Sequence, residues 1–149
     1  VAEDPRDAIP RLLARRGYRI TAPRRAVLEA LATAQEPRTV AQLHGALGGE
    51  RVNLVSVYRT VKLLCDTGLV RETDATQGQR RYELAEPFTA HHHHLICRRC
   101  GQIEDLEGCL LEPEVLTRLG RRVRHSHQFR VTDHELRFFG VCRRCDGDA

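Results

Sequence analysis

Two hydrophobic rhythms divide the chain. In "TAPRRAVLEALATA", residues 21–34, Ala26, Val27, Ala30 and Leu31 recur at helical spacing and give the segment one apolar face. Thr21 stands where an N-cap is needed, and Pro23 falls in the first turn, where its missing N–H costs nothing. Upstream, "PRDAIPRLLARRG" predicts a shorter helix ending at Gly17. Thr39 opens a third helical segment, "VAQLHGAL", closed by Gly48 and Gly49. Asn53 opens a fourth, "LVSVYRTVKLLCDT", closed by Gly68, with Leu54, Val57, Val61 and Leu64 as its apolar stripe. Past Gly68 the period shortens. "LVRETD" and "QRRYEL" are partly alternating runs joined by "ATQG", a hairpin signal. Helices followed by a two-stranded wing predict a winged helix-turn-helix whose fourth helix is the recognition helix.

"AEPFTA", residues 85–90, carries a Pro and small residues between two patterned regions and reads as a linker. After it come a strand ("HHHLIC"), a knuckle, a strand ("QIEDLE") and a helix opened by Pro113. That helix has Val115, Leu116, Leu119 and Val123 on its apolar face, and a long strand, "QFRVTDHELRFFGVC", follows it. The expected organisation is a winged-helix domain over 1–84, a linker over 85–90 and a small α+β domain over 91–149. So small a unit needs a staple or a partner to be stable.

Composition narrows the class. With 41% apolar and 30% charged residues among 149, the chain reads as soluble and globular. Its apolar runs fall far short of the roughly 20 residues a membrane span needs. The acidic start lacks an apolar h-region, so the expectation is a cytoplasmic protein. Over residues 1–62, eleven Lys or Arg stand against six Asp or Glu, an excess that suits a polyanionic partner. On the fourth helix Ser56, Tyr58, Arg59 and Lys62 lie off the apolar stripe. Arg there can donate two hydrogen bonds to guanine, and Tyr can meet a thymine methyl or a phosphate.

In a reducing compartment, paired cysteines bind metal or do redox work more often than they form structural disulfides. Cys97 with Cys100, and Cys142 with Cys145, have the two-residue gap that lets both sulfurs of a tight turn reach one ion. Together they supply four thiolates for a tetrahedral structural Zn²⁺. The rival is a redox-active disulfide, which calls for a βαβ context that neither Arg-flanked turn provides. Cys65 and Cys109 stand alone and are expected to be small buried hydrophobes.

Seven of the eight histidines lie beyond residue 90, four of them consecutive, His91 to His94. If the run continues into the following strand, successive rings point to opposite faces. His91 and His93 then share one face, His92 and His94 the other, as two half-sites back to back. Further ligands could come from Glu83, Glu104, Asp105, Glu112, His125, His127 or His134; spacing does not choose among them. For His134, inside an alternating run, a satisfied core histidine is the plainer expectation. Mixed His/carboxylate sites suit Zn, Fe(II), Mn or Ni and bind more weakly than four thiolates.

"RGYRITAPR", "VSVYRTV", "DTGLV", "HHHHLICRRCGQIED" and "DHELRFFGVCRRC" together resemble the ferric uptake regulator family of metal-dependent bacterial repressors, over residues 6–145. The resemblance implies a winged-helix domain joined by a hinge to an α/β dimerisation domain with a three-stranded antiparallel sheet. It implies a homodimer on double-stranded operator DNA, with no membrane, no small organic substrate and no enzymatic activity. By motif, Arg19 matches a residue reaching toward the minor groove and Tyr58 and Arg59 match recognition-helix contacts; Arg24 and Ser56 are counted with them. Cys97, Cys100, Cys142 and Cys145 match a structural zinc site. Glu83, His92, His94 and Asp105 match a regulatory site near the hinge, for Fe²⁺, Zn²⁺ or Mn²⁺. His91, His93, Glu112 and His134 match an additional site. There are departures: where the family supplies a His before the third helix, this chain has Pro37 with Glu36 beside it, and Arg71 follows "GLV" where zinc sensors carry other ligands. The rival classes are a thiol-disulfide redox protein and a zinc-stapled protein-interaction module.

Overall fold

The computed structural model describes residues 3–49, 52–74 and 78–147. Four helices open the chain: α1 (Pro5–Arg15), α2 (Ala22–Ala32), α3 (Val40–Ala46) and α4 (Leu54–Asp66). Their starts follow from side-chain caps. Thr39 and Gln42 form a reciprocal capping box on α3, and Asn53 Oδ1 accepts the Ser56 amide at 2.8 Å to start α4. Gly68, at φ +70°, ends α4 and turns the chain into the wing. The wing is β1 (Val70–Asp74) paired antiparallel with β2 (Arg80–Leu84), so that Arg71 stands opposite Glu83. The predicted "ATQG" turn lies mostly at 75–77, outside the described residues. A single bridge from Arg38 to Tyr82 ties the lead-in of α3 to the wing.

The apolar faces meet in one core: Ile9 and Leu13, Val27, Leu28 and Leu31, Leu43, Val57, Val61 and Leu64, closed by Leu69, Tyr82 and Leu84. Each fully buried aliphatic side chain there contributes roughly 1.5–3 kcal/mol. Leu54, the first residue of α4, does not join them; it is half exposed. Thr60 takes a core position instead, its hydroxyl hidden in a 2.8 Å bond to the Ser56 carbonyl. Phe88, in the segment read as a linker, packs against this core too.

The second unit is a three-stranded sheet in the order β4-β3-β5, where β3 is His92–Cys97, β4 is Ile103–Glu107 and β5 is Arg137–Gly140. Helix α5 (Pro113–His127) separates β4 from β5, and the short α6 (Arg143–Asp146) follows. The sheet is mixed, not wholly antiparallel as expected. β3 pairs antiparallel with β4 and parallel with β5. The cause is the connection: α5 and the chain after it carry β5 round to the far edge of β3, and a parallel neighbour requires such a crossover. The long final strand is also shorter than expected, since residues 128–136 are not in strand. Helix α5 buries none of its residues, and Leu119, Phe129, Phe138, Phe139 and Val141 are exposed.

Candidate metal centres and nucleic-acid interface

The four paired cysteines converge. Cys97 ends β3, Cys100 follows in a turn relieved by Gly101 at φ +71°, Cys142 is the N-cap of α6 and Cys145 lies within that helix. Their sulfurs all lie within 4.8 Å of one another, and Cys100 Sγ and Cys142 Sγ are 3.7 Å apart. Tetrahedral zinc with ~2.3 Å Zn–S bonds needs sulfurs roughly 3.8 Å apart, so the residues present fit the ion. Backbone N–H groups of Cys142 and Cys100 hold the Cys97 thiol down at about 6, while hydrogen bonding with Cys100 and Cys142 pushes Cys145 up to about 12.

The pleat sorts the histidine run. His92 and His94 rings are 5.1 Å apart on one face, and His91 and His93 rings 4.8 Å apart on the other. On the first face, Glu83 reaches across from β2 in the wing. Its Oε2 lies 3.2 Å from His92 Nε2 and 3.3 Å from His94 Nε2. Asp105, cross-strand partner of His94 on β4, places Oδ1 3.6 Å from the same His94 nitrogen. An ion bound by N and O at ~2.0–2.1 Å sets tetrahedral ligand edges of roughly 3.3–3.4 Å, close to these separations. His92 Nδ1 lies 2.8 Å from the Ala90 carbonyl. Donating its N–H there leaves the Nε2 lone pair for a cation, the usual way a ligating imidazole is oriented.

A cation already stands there. Arg71 Nε donates to Glu83 Oε1 at 2.5 Å, and Arg71 Nη2 lies 3.1 Å from His92 Nε2. Burial pushes the Glu83 carboxyl up, but the His94 hydrogen bond and the Arg71 charge outweigh it and hold the group at about 2. For His92, burial pulls down while the Ala90 carbonyl and Glu83 pull up, and the net position is above the ordinary imidazole value. Burial raises Asp105. Sequence reasoning noted Arg71 only as a departure. The signal that could have found it was the hairpin register, which sets Arg71 directly opposite Glu83.

On the second face the structure brings His91, His93 and His134 together with Cys109, not with Glu112. Glu112 is exposed at the N-cap of α5 and belongs to none of the ligand clusters among the described residues. Cys109 is exposed, not a buried hydrophobe, and its Sγ is 3.1 Å from His134 Nε2. His134 is half-buried and is not a core residue. Cys65 is half-buried against the N-terminal core. Glu104, His125 and His127 are exposed and lie in no described cluster. Glu36 pairs with Arg38 at 3.5 Å and lines a cleft with His92 and Asp105 without joining their ligand set.

On α4 the outward face presents Tyr58 and Arg59, both exposed, with Ser56 half-buried beside them. Lys62 is paired with Asp66 at 2.8 Å. Arg19 is exposed, and Arg24 donates to its carbonyl at 2.5 Å, which ties the α1–α2 turn to the start of α2.

A sequence profile of the Ferric uptake regulator family matches residues 15–139. The Ferric uptake regulation protein of Bacillus subtilis is 33% identical over 147 residues, covering 95% of this chain and 94% of that one. The Peroxide-responsive repressor PerR of Staphylococcus aureus is 30% identical over 132 residues, with 87% and 83% covered. Among solved structures, the Helicobacter pylori ferric uptake regulator shares the fold at a TM-score of 0.74 and 22% identity, covering 95% of this chain and 91% of that one. The ferric uptake regulator of Vibrio cholerae gives a TM-score of 0.70 at 26% identity, with 90% and 99% covered. A zinc-bound manganese uptake regulator gives 0.63 at 31%, with 90% and 98% covered.

Proposed function

The chain belongs to the ferric uptake regulator family, and from that premise we propose how its residues divide the work of a metal-dependent transcriptional repressor. The N-terminal winged helix binds DNA and the C-terminal unit is a dimerisation domain. We place the domain boundaries at 1–84, 85–90 and 91–149, with Phe88 seating the linker on the N-terminal core. Cys97, Cys100, Cys142 and Cys145 would hold a structural Zn²⁺. That ion would supply folding free energy to a unit whose own buried core is small. Glu83, His92, His94 and Asp105 would hold the regulatory divalent cation, Fe²⁺, Zn²⁺ or Mn²⁺. His91, His93 and His134 form the additional site.

The observation that carries this reading is the origin of the hinge ligands. Glu83 belongs to the wing, and His92, His94 and Asp105 belong to the C-terminal sheet. Shared coordination fixes the wing against that sheet. In a dimer built on the exposed apolar surface around α5 and β5, this sets the separation of two recognition helices. Operator half-sites one helical turn apart, ~34–36 Å, match only one such separation. Tyr58, Arg59, Ser56, Arg19 and Arg24 would make the DNA contacts. The test is operator binding across Fe(II), Mn(II), Zn(II) and Ni(II), paired with metal analysis. Regulation predicts one metal-sensitive occupancy beyond the structural zinc that tracks DNA affinity. Tight binding with no metal dependence refutes it. A thiol-disulfide protein would instead show thiol turnover without stoichiometric zinc, and a pure interaction module would show no salt-steep DNA affinity.

A further inference from the structure

Cys109 faces three imidazoles. The ligand atoms of His91, His93, Cys109 and His134 all lie within 4.8 Å of one another. His91 Nδ1 lies 2.8 Å from Glu86 Oε1, so donating to that carboxylate leaves Nε2 with its lone pair. That Nε2 is buried and has no hydrogen-bond partner among the described residues; the same holds for Nε2 of His93, which is fully buried. A buried polar atom left without a partner costs about 1–3 kcal/mol. Two such atoms on one sheet face, beside a thiol and a third imidazole, make a set that a cation would satisfy at once.

We infer that Cys109, rather than Glu112, is the fourth ligand of this cluster, making it a three-imidazole, one-thiolate site that selects Zn²⁺ over Fe²⁺ and Mn²⁺. The inference deepens the additional site proposed above and rests on that reading. Thiolate is the softest ligand available to the cluster, and a tetrahedral set of three nitrogens and one sulfur suits zinc. Fe²⁺ and Mn²⁺ favour more ligands and harder oxygens. Zn–S and Zn–N bonds of ~2.3 and ~2.0–2.1 Å set sulfur and nitrogen roughly 3.6 Å apart, so the 3.1 Å contact between Cys109 and His134 has to open by about half an ångström. Cys109 sits exposed between β4 and α5 and is free to make that shift. Binding through His93 Nε2 moves the ring proton to Nδ1, so its long 3.3 Å bond from the Leu136 amide is given up. Glu86 and Asp133 share only His91 with this set, and both are exposed. The site clips the loop after β4 and the chain before β5 onto β3. It touches no residue of the wing, so its effect falls on the C-terminal unit and not on the hinge.

The test is titration of Co(II) into full-length protein whose four-cysteine site is already filled with zinc, the zinc content being checked before and after. The hinge ligands are nitrogen and oxygen only, and Cys65 packs against the N-terminal core outside every ligand cluster of the described residues, so a thiolate-to-cobalt charge-transfer band reports Cys109. The band is expected in the parent and in Glu112→Gln, and is lost in Cys109→Ser. Zn²⁺ affinity at the site should fall in Cys109→Ser by at least the roughly 10–100-fold that outer-shell partners of a metal site are worth. In the unsubstituted protein, zinc beyond the structural ion should slow alkylation of Cys109, and Mn²⁺ should not. A parent without the band, a band surviving in Cys109→Ser, a band lost in Glu112→Gln, or an alkylation rate indifferent to zinc overturns the assignment. None of these outcomes changes the metal dependence of operator binding, which is the separate readout of the hinge.

Discussion

Replacing Arg71 with Met removes the cation that now stands in the hinge site. Arg71 Nη2 and a metal ion both require the lone pair of His92 Nε2, and only one can have it. Glu83 can serve both, with Oε1 toward Arg71 and Oε2 toward the metal, so the bond that must break on metal entry is the one to His92. A hydrogen bond with a charged partner is worth about 1.5–3 kcal/mol. Arg71 and Glu83 side chains are only 26% and 11% exposed, so solvent screening takes away little of it. At about 1.4 kcal/mol per factor of ten, Arg71→Met should tighten divalent-metal binding roughly ten- to a hundredfold. Repulsion between the guanidinium and the arriving ion acts in the same direction. The assay is calorimetric titration of Mn(II) or Zn(II) into zinc-stapled protein, with thermal unfolding in parallel. Without added metal the variant should melt lower, since Glu83 loses its counter-ion; with metal the deficit should close. Unchanged or weaker metal binding in Arg71→Met would refute the idea that the arginine competes for the site.

Three further outcomes follow from the geometry. Leu64→Ala, in the centre of the N-terminal core, should cost about 2–5 kcal/mol in denaturant unfolding; a loss under 1 kcal/mol would mean that α4 is not packed there. Arg59→Ala should weaken specific operator binding by about 1–3 kcal/mol, read by titration at fixed salt, and unchanged affinity would take this face of α4 out of the groove. Hinge-metal affinity should fall on acidification, because protons and the ion compete for the same imidazole nitrogens. His92 lies above the ordinary imidazole value, so the fall should begin above pH 6.5, while Glu83, at about 2, stays ionised throughout. An affinity flat from pH 8 to pH 6 contradicts this.

Local chemistry was legible in the sequence, and long-range chemistry was not. The caps at Thr39 and Asn53 and the stop at Gly68 could be read directly, because each acts within one helical turn of its own position. The alternation of His91 to His94 was equally legible, since it follows from the pleat of one strand. Leu54 falls on the apolar stripe by periodicity yet is half exposed at the first position of α4, because periodicity assigns a face without fixing what packs against it. The direction of β5 was missed for a similar reason: it depends on the route of the crossover, which leaves no mark on hydrophobic alternation. Arg71 and Cys109 lie outside the strand whose histidines they meet; the hairpin register sets Arg71 opposite Glu83, but no local pattern around Cys109 points to a site. Lone cysteines are buried so often that Cys109 was read as core, whereas it lies exposed beside His134.

The central claim is that ligands drawn from the wing and from the C-terminal sheet make DNA binding depend on a metal ion. Operator affinity of the parent and of His92→Ala/His94→Ala, each with and without added divalent metal and each shown to retain its structural zinc, tests it most directly. The account predicts that metal raises affinity in the parent and leaves the double variant unmoved. Equal metal dependence in the two proteins would contradict it.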